Sequence, residues 1–156
     1  MIDQLLKLSH LLSVIVWVGG MVFAHFFLRP ALAALAPPER LRLMHDVLGR
    51  FFKVVLVLST VAVLSGVWMI GRTAKAVVQS GGSFHMPLSW TVMAVLGVAM
   101  WAIFGHIRFA LFKRFSRAVA AAEWSAAGVA LASIRLWVGV NLALGLGTVG
   151  VALLLN

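Results

Sequence analysis

The chain has no cysteine, no tyrosine and only four carboxylates among its 156 residues. Lack of cysteine excludes disulfides, thiolate metal sites, iron–sulfur clusters and covalently attached c-type haem. Lack of tyrosine removes phenolic ligands. Asp3, Glu39, Asp46 and Glu123 are scattered, with no pair at the spacing acid–base hydrolysis requires. No set of residues reads as catalytic, so the sequence favours a binding or transport protein over an enzyme. Five histidines, the methionines and the arginines are left to carry any chemistry.

What the chain does contain is apolar: 63% of residues are hydrophobic and 11% charged, against about 45–50% apolar in soluble domains. A hydrocarbon core about 30 Å thick needs about 20 helical residues. Stretches at 5–28, 54–70, 88–112 and 134–155 meet that length. They predict one all-α integral membrane domain over 1–156, a four-transmembrane-helix antiparallel bundle in contact with the lipid bilayer. Residues 38–53 combine a proline, Glu39 and arginines interleaved with apolar positions. They read as the headgroup-level start of span two, or alternatively as a separate amphipathic helix 38–53 lying in the interface. The run "ALAALA" at 31–36 resembles a leader cleavage site, but Arg29 and Pro30 precede it and the apolar run before them is too long for a leader.

The net charge of +9 does not indicate nucleic acid, because the basic residues sit beside apolar spans. Lys7, Arg72 and Lys75 fall on one side of the bundle and the other ten basic residues on the opposite side. By the positive-inside rule both termini then face outward, which in a bacterial inner membrane is the periplasm. His10 and His85 fall in the outer layer, and His25, His45 and His106 in the inner one.

At about 100° per residue, His10, Trp17, Met21, His25 and Leu28 share one sector of span one. Gly19 and Gly20 beside Trp17 suit close helix approach. In span three, Met86, Met93 and Met100 recur every seven residues, which would suit copper(I) with its preference for thioethers. The same wheel puts His106 opposite them, with Ala99, Ala102 and Ala110, and the small residues suggest that His106 faces the interior. The sequences "HFFLRPAL" and "HIRFALFKRF", closing spans one and three, look like weak echoes. In span four, the rows Asn141, Gly145, Thr148 and Gly139, Ala143, Gly147 read as packing faces, through which a homo-oligomer is one option. "GLGTVG" at 145–150 matches a dinucleotide fingerprint by letters only, since no strand precedes it.

Depth separates the histidines. His10 and His106 lie roughly 20 Å apart along parallel helices at 1.5 Å per residue, whereas His25 and His106 lie at similar depth. That inner pair suits the axial ligands of haem b, with Arg29, Arg108, Arg135 and Arg50 in the layer that would meet propionates. It suits copper equally, with His10, His25, His85 and His106 as metal ligands. A third reading has the histidines donating to backbone carbonyls in a structural or assembly subunit with no cofactor.

His10 followed by "WVGG" at 17–20, "GHIRFALFKRF" at 105–115 and "IRLWVGVNLALGLGTV" at 134–149 resemble the membrane domain of CopD-type copper resistance proteins. The resemblance implies a bacterial inner-membrane protein in copper uptake or tolerance, acting beside a periplasmic copper-binding protein. A weaker likeness, His10 seven residues before Trp17, is to membrane-type protoporphyrinogen oxidases. Against it, the segment after the tryptophan reads "MVFAHFFLRP", and an expected His-x-Lys reads Met93, Ala94, Val95.

Overall fold

A computed structural model describes residues 1–154, so the expected end of span four at Leu155 lies outside the described residues. Four helices run antiparallel: α1 Ile2–Ala34, α2 Pro37–Gln79, α3 Leu88–Ala120 and α4 Trp124–Leu154. Each is long and apolar enough to cross a bilayer. α1 packs chiefly on α2, and α3 on α4; contacts of α2 with α3 and of α1 with α4 close the bundle. Large apolar side chains such as Leu8, Ile15, Val57, Val67 and Leu136 remain exposed, as a lipid-facing surface requires and a soluble monomer rarely allows.

The helices are longer than the apolar stretches. α2 has 43 residues, about 65 Å at 1.5 Å per residue and roughly twice the hydrocarbon thickness. The amphipathic segment 38–53 is therefore the first part of this continuous helix, not a separate interfacial one. Its apolar face (Leu41, Met44, Leu48, Phe52) packs with Phe112 and Phe115 of α3 and with Ala127 and Ile134 of α4. The hydrophobic core thus extends past the apolar stretch 54–70 at the basic end.

Turn chemistry sets the helix ends. Prolines at 37 and 38 open α2, where the first N–H groups need no intrahelical partner. α2 ends in a Schellman turn, with Gly81 at φ 83° and the Gly82 N–H bonded to the Val77 carbonyl at 3.0 Å. α3 ends the same way, with the Glu123 N–H on the Ala118 carbonyl at 2.9 Å, but there Ala122 occupies the left-handed position at φ 55°.

Two π turns interrupt the helices, Ala24–Leu28 in α1 and Ile107–Leu111 in α3. Pro30 accounts for the first. It has no N–H to give, and its ring crowds the carbonyl four residues earlier, so the preceding turn widens. The two turns coincide with the echo between "HFFLRPAL" and "HIRFALFKRF". Each holds or follows a histidine, and Arg29 lies just after the first and Arg108 within the second.

Candidate functional site

The inward stripe of α1 is as its spacing predicts: Ser13, Trp17, Val18 and Met21 are buried, and His10, His25 and Leu28 half-buried. Gly20 makes the closest approach, because a Cβ there would collide with the Phe51 ring of α2, whereas Gly19 faces open space.

At the end that carries the N-terminus, His10 Nδ1 lies 2.8 Å from the Ala62 carbonyl and 3.1 Å from the Ser65 hydroxyl. A carbonyl only accepts, so the ring donates from Nδ1 and the neutral imidazole keeps its lone pair on Nε2. Gly66 gives the ring its seat, since a Cβ there would meet His10 Cε1 at 3.3 Å. His85 is exposed in the α2–α3 loop, and its Nδ1 donates to the Ser83 carbonyl at 3.3 Å. Both of these histidines therefore present Nε2 as the remaining ligand atom, with Nδ1 anchored as a metal-binding imidazole usually is. The same Asp3–Arg72 end of the bundle is tied by an ion pair at 2.7 Å.

Mid-bundle, two methionines of α3 point inward: Met100 is buried and Met93 half-buried, whereas Met86 lies in the loop before α3 and so does not continue a helical methionine face. The Thr148 hydroxyl lies 3.9 Å from Met100 Sδ. Gly145 allows this contact, because a Cβ there would meet Met100 Cε at 3.1 Å and Val18 Cγ2 at 3.0 Å. One turn away on the same face, Asn141 is wholly buried with neither Oδ1 nor Nδ2 hydrogen-bonded. Its spacing marked it as a packing amide, yet it bonds nothing. Edge-to-face rings then fill the core: Trp17 on Phe104 (6.1 Å), Phe104 on Phe52 (5.9 Å) and Phe52 on Phe112 (5.4 Å).

The inner histidines do not form a pair. His25 reaches α4 at Gly139, where a Cβ would lie 3.7 Å from its Cε1. His106 lies edge-on to Trp137, with ring centroids 5.5 Å apart. Residues 137 and 139 are about 200° apart around the helix, so the two rings touch opposite faces of α4. His106 is also exposed, which corrects the expectation that it faces the interior. Ala102 beside it is exposed as well, and Ala99 and Ala110 are only half-buried, so the small residues here do not mark a buried helix contact. His45, a candidate approaching from span two, is held elsewhere: its ring stacks on Phe112 at 5.3 Å, and Nε2 lies 2.9 Å from the Ser116 hydroxyl.

His25, Arg29, Met44, Ile134, Arg135 and Val138 line a cavity of about 30 Å³ at the basic end. That space takes about two water-sized groups and no macrocycle. With His25 and His106 on opposite sides of α4, haem b does not fit this inner layer. Arg29 Nη1 is buried there without a hydrogen-bond partner, and so is Arg108 Nε, whose guanidinium lies over Phe109 and Phe112.

Among the described residues no three His, Cys, Asp or Glu side chains gather to hold a metal. Soft and polar groups are instead spaced singly along the interior. A family model described as copper resistance protein D matches residues 45–155. The match covers His85, Met100, His106 and Asn141, and the "WVGG" motif with His10 and His25 lies before it. No curated protein and no solved structure matches significantly.

Proposed function

We propose, from the premise that the chain belongs to the copper resistance protein D family, that this multi-pass membrane protein relays copper(I) through the interior of its helical bundle. The supporting observation is the unpaired Asn141 amide on the α4 face that seats Met100. A thioether and an unused amide oxygen in a dry core suit a soft monovalent cation that has shed its water. Taking His25 as the origin, a rise of 1.5 Å per residue sets Asn141 about 3 Å farther along the axis, the Met100–Thr148 contact about 10–13 Å, Ser13 about 18 Å and His10 about 22 Å. Donors at such short intervals, each weak alone, meet the requirement that an ion enter readily and also leave.

In this reading His10 and His85 receive the ion at the outer, periplasmic face of a bacterial inner membrane, supplied by a periplasmic copper-binding protein. Met100 and Asn141 carry it across the centre, and His25 is the inner contact. His106 lies outside the route. The copper is cargo here, and the direction of net movement follows its gradient and its partners.

X-ray absorption on the detergent-solubilised protein loaded with copper(I) tests the reading. We expect a sulfur scatterer in wild type that disappears in Met100→Leu, and a nitrogen contribution reduced in His10→Ala. A spectrum unchanged by both substitutions would overturn it.

A further inference from the structure

We propose that the cavity between Arg29 and Arg135 binds one phosphate group. Arg29 Nη1 is buried with no partner, although a cation's donor left unpaired away from water is among the costlier defects of a folded chain. Arg135 lines the same cavity, and the charges acting on Arg29 are those of Arg135 and Arg40. No carboxylate answers them: among the described residues Asp3 pairs with Arg72, and Asp46 lies 3.6 Å from His45 Nδ1. Two guanidiniums lining one cavity without a counter-charge, with Arg40 adding to the positive field, call for an anion, and a guanidinium fork matches phosphate oxygens two at a time.

Size and depth narrow the ligand. About two water-sized groups fit the cavity, which accommodates two oxygens of one phosphate while the remainder projects from the mouth. Arg29 directly follows the apolar run of α1, and Arg135 lies where that of α4 begins, so both guanidiniums stand at headgroup level. Basic pockets between helices at this level hold lipid phosphates, and inorganic phosphate carries the same chemistry. The π turn before Pro30 keeps His25 and Arg29 on one side of α1, where both line the cavity. A bound anion also offsets the field that Arg29 and Arg135 set against a cation at His25. That consequence rests on the copper reading, and the phosphate site does not.

The test uses the full chain in detergent, stripped of lipid, at constant ionic strength. Phosphatidylglycerol, phosphatidylcholine and inorganic phosphate are titrated while thermal stability and native mass are followed. Wild type should show saturable binding of phosphatidylglycerol or of inorganic phosphate, and whichever binds identifies the source. Binding should weaken at least tenfold in Arg29→Gln and Arg135→Gln and stay unchanged in Arg114→Gln, an exposed arginine outside the cavity. Arg135 is itself exposed, so Arg135→Gln keeps the fold if Arg29→Gln does not. Equal binding by wild type and Arg135→Gln, or no saturable binding of either phosphate source, would overturn the proposal.

Discussion

Asn141 carries the argument at the scale of single residues. A buried amide with both polar atoms unpaired costs about 1–3 kcal/mol, and leucine repeats its branched shape without that cost, although its methyls are bulkier than the amide atoms. Asn141→Leu should therefore raise stability by up to about 1–3 kcal/mol in a denaturation titration while weakening copper(I) binding. A loss of stability in both Asn141→Leu and the smaller Asn141→Ala would mean that the amide is bonded, and the case for it as a copper contact would fall. The spacing in the sequence put Asn141, Gly145 and Thr148 on one face, and the structure keeps them there. That the amide goes unanswered was illegible, because it depends on which side chains of α1 and α3 arrive opposite. His10 was legible as far as its alternatives: its Nδ1 satisfies the carbonyl role and leaves Nε2 for the ligand role.

At the scale of elements, hydropathy located all four spans but not their lengths. The apolar window 54–70 is only the middle of α2, and the amphipathic turns before it bury their face against protein, not lipid. A wheel drawn at 100° per residue placed the α1 stripe correctly. On α3 it was combined with the assumption that small residues face inward, and that assumption put His106 on the wrong side. The π turns were legible only in part: Pro30 signals the first, and no proline accompanies the second. The α3–α4 turn supplies a prediction of its own. Ala122 holds a left-handed conformation that costs an L-residue about 1–2 kcal/mol, partly offset by the extra freedom glycine loses on folding. Ala122→Gly should stabilise the protein by up to about 1 kcal/mol, read from its unfolding midpoint. Destabilisation would show that the Ala122 side chain makes contacts that outweigh its backbone strain.

For the whole molecule, charge and helix order divide the bundle into a basic end with ten cationic side chains and an opposite end with three. The basic end holds the extended core, the Arg29–Arg135 cavity and His25, and the opposite end presents His10 and His85. Between them, aromatic rings pack between isolated donors, so in the proposed relay an ion would move by local rearrangement from one donor to the next. Copper(I) flux into proteoliposomes containing an internal copper chelator measures this directly. The account predicts flux above that of empty vesicles, reduced at least tenfold by Met100→Leu and by Asn141→Leu and unaffected by His106→Ala. Flux indifferent to Met100 and Asn141 but abolished by His106→Ala, or no flux above empty vesicles, would contradict it.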